Sequence, residues 1–295
     1  MSYLIDTHCH LHDREFFTEE QAEKMLENAR KNNVQQIICI GTSHEDSLTA
    51  AEFAAKHDNV YWTYGIHPEH AKQEDEGSMR KFSFERLEIY LSGASAAPRA
   101  RDEGREARDD GPERPRLQKD IFQSLAAVGE VGLDYHYAGY DRTAQIRLFE
   151  QMLQLAVDND LPVSFHVREA FDDFFPVVEN FPTVRGVVHS FTDSKKTLRR
   201  ILTETDFYVG VNGLATYSTL PTPPLERILL ETDAPFLTPE PFRGIINEPA
   251  YVSAVAKWLS ARLGLDYQLI EEETTKNANK LFGLQHTVFC QARDV

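Results

Sequence analysis

Cysteine is scarce in this 295-residue chain. Cys9, Cys39 and Cys290 are far apart, odd in number and outside any CxxC spacing. That pattern excludes a disulfide framework and a structural zinc motif, leaving reduced, buried thiols as the expected state. Long hydrophobic runs are missing too, since no apolar stretch approaches 18 residues and no basic, then apolar, leader opens the sequence. Neither a membrane span nor a secretory signal is expected, and the location that follows is the cytoplasm. Positive charge is outnumbered, 31 Lys and Arg against 47 Asp and Glu, for a formal net charge of −16. Such a balance disfavours non-specific binding of duplex nucleic acid, which depends on neutralising phosphates. It leaves room for a phosphoester at a carboxylate-rich site, because divalent cations bring their own charge.

What is present suffices for one large core. Hydrophobic residues make up 41% of the chain, and short apolar runs alternate with amphipathic segments. The strand-like runs are Leu4 to His8, Val34 to Ile40, Tyr61 to Ile66, Ala126 to Leu133, Pro162 to Val167, Val184 to His189, Phe207 to Val211 and Ile228 to Thr232. Helical patterns cover Glu19 to Lys31, Ser47 to Lys56, Arg142 to Asp158, Ser194 to Thr203, Pro249 to Leu263 and Leu269 to Leu281. The βαβα order, with runs as continuously apolar as Ile37-Ile38-Cys39-Ile40, predicts parallel strands covered by helices. Eight of them close most simply into a TIM (β/α)8 barrel, one α/β domain over residues 1–295. A doubly wound open sheet is the alternative, but no GxGxxG or P-loop follows the first strand.

Two stretches interrupt this rhythm. Residues 93–116 contain no Val, Ile, Leu, Phe or Met and balance six Arg against six Asp or Glu, so they cannot build a core and read as a disordered insertion before strand 4. In a barrel that connection lies on the amino-terminal face, away from catalysis. Between strands 7 and 8, Ala215 to Leu225 carries three prolines in four positions, which predicts an irregular crossover in place of a helix. Residues 285–295 read as a tail.

Chemistry-bearing residues recur where such strands end. On a strand of period two, His8 and His10 of Asp6-Thr7-His8-Cys9-His10 share one side and Cys9 takes the other, so both imidazoles can reach one ion. Glu130 is expected at the carboxyl end of the fourth strand, followed by a turn holding Asp134. His166, His189 and Asp233 stand at the ends of the fifth, sixth and eighth runs. Each alone has an ordinary reading, a hydrogen-bonded histidine or a capping aspartate. A carboxylate inside an apolar run, such as Glu130, costs several kcal/mol unless paired or metal-bound. Four imidazoles and two carboxylates on one rim are enough for two divalent ions bridged by a carboxylate, an arrangement suited to hydrolysis. Zn²⁺, Mn²⁺ and Mg²⁺ all remain open. His67 and Arg168 are candidates for meeting a phosphate or leaving group. Asp134 and Glu231 are candidates for orienting ligand histidines. Cys9 reads as packing, His12, His70 and His136 lie near the rim without a metal role, and His44, His57 and His286 read as solvated.

Six motifs in order, Asp6-Thr7-His8-Cys9-His10, Gly65-Ile66-His67-Pro68, Gly129 to Tyr135, His189-Ser190-Phe191-Thr192, Glu231 to Pro235 and Asn247-Glu248-Pro249, resemble the TatD family of metal-dependent deoxyribonucleases. The resemblance runs from Tyr3 to about Leu284. It implies an amidohydrolase-like TIM barrel in which His8, His10 and Asp233 hold one metal, His166 and His189 the other, and Glu130 bridges them. It also implies hydrolysis of phosphodiester bonds, most readily as an exonuclease on single-stranded or damaged DNA, with RNA as a further substrate and Glu130 and Asp233 in catalysis. A related metallohydrolase acting on a small phosphoester, amide or ester, and a non-catalytic scaffold on a decayed barrel, are the alternatives. Two departures are specific to this chain: the proline-rich crossover, and Arg243-Gly244-Ile245-Ile246-Asn247 where the family commonly has Lys-Arg before the Asn.

Overall fold

The computed structural model describes residues 2–72 and 121–284. The expected insertion at 93–116 and tail at 285–295, with Cys290 and His286, lie outside the described residues. Eight short runs form the strands β1 (Leu4–Cys9), β2 (Val34–Cys39), β3 (Val60–Tyr64), β4 (Leu125–Asp134), β5 (Val163–Arg168), β6 (Gly186–Val188), β7 (Tyr208–Val211) and β8 (Ile228–Leu230). They pair in sequence order, each neighbour parallel to the last. A bridge between Cys9 and Ala234 brings the last strand back to the first. The result is a nearly closed TIM barrel, as the alternation of runs predicted.

Helices α1 (Glu19–Lys31), α2 (His44–Ala54), α3 (Arg142–Asp158), α4 (Phe171–Glu179), α5 (Lys195–Glu204), α6 (Val252–Leu263) and α7 (Tyr267–Phe282) are the α-helices among the described residues. Their starts follow local chemistry: Thr18 and Gln21 form a capping box on α1, and Ser43, Asp141, Ser194 and Asp266 accept a first-turn N–H on α2, α3, α5 and α7. Apolar residues fill two regions. One layer lies between strands and helices and contains Trp62, Phe149, Phe165 and Phe174. The other lies inside the ring, where Ile5, Ile38, Tyr61, Ala126, Val187, Tyr208 and Leu229 meet Leu281 and Phe282 of α7. The interior is thus packed at one end by the last helix, and the polar groups collect at the other.

Several expectations are corrected. Helix α4 was not foreseen, because Pro176 interrupts its pattern and removes one i to i−4 bond. It forms because Phe171, Phe174, Phe175, Val177 and Val178 all bury against the barrel. Helix α2 starts at His44, capped by Ser43, earlier than the apolar pattern indicated. The residue expected to be solvated there, His44, is half-buried with its Nδ1 3.3 Å from the Tyr64 hydroxyl. His57 is also half-buried, against the Phe53 ring at 4.9 Å. Asp134 lies in no turn; it is the final residue of β4. Between β7 and β8 the chain makes two 3-10 turns, Gly213–Thr216 and Leu225–Arg227, and no α-helix, as the prolines required. Trp258 of α6 lines a small cavity there together with Leu220, Pro221 and Pro223.

Candidate metal centre

Each candidate ligand is delivered by the end of a strand or the residues just beyond it. His8 is the penultimate described residue of β1 and His10 follows the strand; His67 lies just after β3, His166 within β5, His189 directly after β6, and Glu231 and Asp233 just after β8. Glu130 departs from the expected position. It sits inside the ten-residue β4, where the register with β5 shifts between Val128 and Val131. Its N–H donates to Gly41 O at 2.7 Å. A Cβ on the neighbouring Gly65 would come within 2.2 Å of Gly129 C, so only glycine there lets the two strands close around this carboxylate. Asp233 has φ +60°, a left-handed conformation uncommon outside glycine, and it turns the carboxylate back over the barrel.

The resulting cluster is tight. His8 Nε2 lies 3.4 Å from Glu130 Oε2 and 3.5 Å from Asp233 Oδ1, and His10 Nε2 lies 3.5 Å from the same Asp233 oxygen. His189 Nε2 is 3.8 Å from Asp233 Oδ1 and 3.9 Å from Glu130 Oε1. These separations exceed a good hydrogen bond. They match the spacing of two donors sharing a tetrahedral ion at 2.0–2.2 Å, which stand about 3.4 Å apart. The ring orientations agree with that reading. His10 Nδ1–H donates to Ile40 O at 3.1 Å, which leaves its Nε2 for the cluster, and His189 turns Nδ1 toward Glu231 Oε1 at 3.0 Å and Nε2 toward Glu130 and Asp233. His8 Nε2 is buried without a hydrogen-bond partner.

The ligand atoms fall into three groups: His8, His10 and Asp233; His8, Glu130 and His189; and His67, Glu130 and His166. Glu130 belongs to two of them, its Oε2 toward His8 and its Oε1 toward the other imidazoles. His189 thus lies beside His8 and His166 beside His67, while Glu130 Oε1 faces His166, His189 and His67 alike. The rings of His8 and His189 stack at 3.4 Å, and those of His67 and His166 meet at 4.4 Å. His67 is a member that sequence reasoning treated as a phosphate contact. Its position at the end of the third strand-like run was the available signal. His166 is held at both nitrogens, Nδ1 at 2.6 Å from Glu130 and Nε2 at 2.9 Å from Asp134.

Electrostatics follow the packing. Burial lowers a histidine's proton affinity, but Asp134 and Glu130 outweigh it at His166, whose pKa is pushed up to about 9. At His189, burial is outweighed by Glu231 and Glu130, giving about 10. At His67 burial dominates, reinforced by His166, and the pKa falls to about 3. Burial would raise Glu130, yet His189 and His166 hold it well below the carboxylate range. Asp233 is likewise held low against burial by His10 and His189.

Further residues fix this arrangement, among them Glu231, expected from the sequence to orient a ligand histidine, and Asp6 and Asn247, which the sequence reading named only within motifs. Glu231 accepts from Ser190 N–H at 2.7 Å and Asn212 Nδ2 at 3.3 Å, and Gly210 leaves it space, since a Cβ there would lie 2.4 Å from Glu231 Oε2. Asp6 accepts from Thr232 N–H at 2.8 Å and from the Thr232 hydroxyl at 2.5 Å, tying β1 to the residues after β8. Asn247 donates to Thr232 O at 2.8 Å and Phe236 O at 2.6 Å. Arg168 lies on the same rim with its guanidinium 5.3 Å from the Tyr137 ring centre.

A family model for TatD-related DNase matches residues 5–283. The metal-dependent hydrolase YabD of Bacillus subtilis is 29% identical over 288 residues, covering 95% of this chain and 98% of that protein. The 3′-5′ ssDNA/RNA exonuclease TatD of Pantoea ananatis is 29% identical over 277 residues, covering 89% and 93% respectively. Among solved structures, the TatD homologue YJJV of Escherichia coli superposes with a TM-score of 0.74 at 26% identity, covering 96% of this chain and 98% of that one. A TatD family hydrolase from Entamoeba histolytica gives 0.76 at 20% identity, covering 96% and 99%, a likeness of fold.

Proposed function

The chain belongs to the TatD-related DNase family of metal-dependent hydrolases, and on that premise we propose that it cleaves phosphodiester bonds of nucleic acid with two divalent ions, Zn²⁺, Mn²⁺ or Mg²⁺. Single-stranded or damaged DNA is the substrate assigned, RNA a second one, and exonucleolytic cleavage the mode, by likeness to the Pantoea exonuclease. The observation that carries this reading is the set of 3.4–3.5 Å separations among His8, His10, Glu130 and Asp233, the spacing of donors around a shared ion.

His8, His10 and Asp233 would hold one ion and His166 and His189 the other, with Glu130 between them; His189 stands within reach of both sets, beside His8 and facing the Glu130 oxygen that His166 also meets. When bound, the ions polarise the phosphoryl oxygen and lower the pKa of water from about 15.7 toward about 7. Asp233, ionised and beside three imidazole nitrogens, accepts the proton of the attacking water. Glu231 and Asp134 keep His189 and His166 oriented. His67 is neutral at pH 7 and offers an imidazole N–H, not a full charge, to a phosphate oxygen. Arg168 supplies a cation at the rim. Two free buried thiols, Cys9 and Cys39, paired in register, suit the reducing cytoplasm assigned as the setting. Among the described residues no helix is long and apolar enough to cross a membrane.

The test measures bound metal and then cleavage of single-stranded DNA, RNA and small phosphodiesters, with and without chelator. Removing even an outer partner of a metal ligand costs about 10–100-fold, so Glu130→Ala and Asp233→Asn are each expected to lose more than about 100-fold. Undiminished cleavage in both variants would refute the assignment. Turnover of small esters or amides with none of DNA or RNA would favour the small-substrate reading, for which the net charge of −16 is the supporting observation.

A further inference from the structure

The mouth of the metal centre exposes more apolar surface than hydrolysis needs. Phe16 and Phe236 are 45% and 46% exposed and meet edge to face with ring centres 5.2 Å apart. The Phe236 ring centre lies 6.4 Å from that of His10. Phe16 comes from the loop after β1 and Phe236 from the loop after β8, so the pair spans the two loops that also supply His10 and Asp233. Phe17, not Phe16, anchors the first loop in the core. The segment after Phe236 folds back on it: Asn247 N–H donates to Pro235 O at 3.1 Å, and the Thr238 hydroxyl donates to Ile245 O at 2.7 Å. That fold presents Ile245 and Ile246, 54% and 58% exposed, on the same loop. These are the positions where the sequence departs from a Lys-Arg pair. Two exposed aromatic rings in contact beside a polar site, on a loop that also exposes two isoleucines, form the kind of patch that marks a binding surface.

We propose that Phe16 and Phe236, flanked by Ile245 and Ile246, receive the face of an unstacked nucleobase adjacent to the scissile phosphodiester. This rests on the nucleic-acid reading above. A base within a duplex has its faces covered by its neighbours, whereas a base of a single strand offers them to aromatic rings. Stacking of this kind accepts any base and contributes about 5- to 150-fold in affinity per base. Phosphate contacts beyond the scissile group, where Arg168 is assigned, contribute little here. The chain carries net charge −16, and the guanidinium of Arg243 lies over the Tyr217 ring at 3.7 Å. Recognition is therefore by base faces, and its salt dependence is shallow.

The experiment uses metal-loaded protein and a labelled single-stranded oligothymidylate with phosphorothioate linkages, compared by anisotropy with an abasic strand of equal length and charge. Wild type is expected to bind the base-bearing strand at least about tenfold more tightly. Between 50 and 200 mM salt its affinity is expected to fall by less than about tenfold, far short of the 10³–10⁵ lost by proteins with 6–10 phosphate contacts. The double variant Phe16→Ala, Phe236→Ala is expected to bring the two strands within about twofold of each other, and Phe236→Trp to keep them apart. Equal binding of both strands by wild type, or an unchanged ratio in the double variant, overturns the proposal. Base-dependent binding without metal-dependent cleavage would leave the stacking surface standing and remove the nuclease reading. Equal cleavage of base-bearing and abasic strands would do the reverse.

Discussion

His166 and His189 carry protons in the metal-free protein at neutral pH, and a metal ligand must be without one. Their pKa values lie near 9 and 10, above the ordinary 6.5, because carboxylates outweigh burial at both. Glu130 and Asp233 are already ionised and release nothing. The sign follows: metal uptake at pH 7 expels both of these imidazole protons, with a contribution from His10, where burial is likewise outweighed by Asp233, and affinity rises with pH until it passes about 9 and then about 10. The metal-free fold changes in the opposite sense. Stability that these raised pKa values contribute is complete below 6.5 and is lost as pH climbs through about 9 and 10. Calorimetry in buffers of differing ionisation enthalpy is expected to count at least about two protons released per protein at pH 7, and a pH-independent affinity between 6 and 8 would contradict the protonation states assigned. At this scale the sequence was informative about residue type and nearly silent about grouping. His8, His10 and Asp233 were recognisable from strand period and run ends, and they do come together. The partition of His166, His189 and His67 depends on which strands are neighbours in the ring and how far each side chain reaches, and no local pattern carries that.

Among the elements, the loop after β1 and the start of α2 are joined by a partly buried pair. His12 Nε2 lies 2.9 Å from Asp46 Oδ1, and Asp46 also accepts from Thr42 N–H at 2.8 Å and the Thr42 hydroxyl at 2.9 Å. Burial opposes both charges, yet the partnership pushes His12 up to about 9 and Asp46 down to about 2. The histidine's contribution is complete below 6.5 and disappears as pH rises through about 9. That of the aspartate is complete above 3.8 and disappears as pH falls through about 2. Asp46→Asn is therefore expected to cost about 3 kcal/mol between these limits, lowering Tm by roughly 6–12 °C, with a smaller difference from wild type at pH 10. An unchanged Tm at pH 5 would show the pair to be incidental. His12 entered the sequence reading without a role because its partner is 34 positions away. Helix α4 was hidden for a different reason: a proline masked the period, and only the apolar surface beneath it restores the helix. Glu130 was read at a strand end although the expected run already continued to Leu133; the strand goes on to Asp134 and shifts its register around Glu130.

For the molecule as a whole, the eightfold ring was legible because parallel strands buried on both faces spell themselves as apolar runs. Closure into a barrel was foreseen as well, but not the bonds that make the seam. Asp6 holds Thr232 by two hydrogen bonds, the Thr7 hydroxyl donates to Leu230 O at 3.0 Å, and Asp233 N–H donates to His8 O at 2.8 Å. Asp6→Ala leaves the buried Thr232 N–H unpaired and is expected to cost about 2–3 kcal/mol. It should also weaken metal binding although no ligand is changed, which metal titration and thermal melting together would read; a stable variant with wild-type affinity would sever the seam from the site. The seam also sets an order of events during synthesis. His8 and His10 emerge from the ribosome with the first strand, but Asp233 follows 223 residues after His10. Until the eighth strand has been made and the ring has shut, the first imidazoles have no carboxylate from across the seam. A nascent chain thus exposes histidines without a finished cage, and acquiring the ion becomes a mark that translation and closure are both complete.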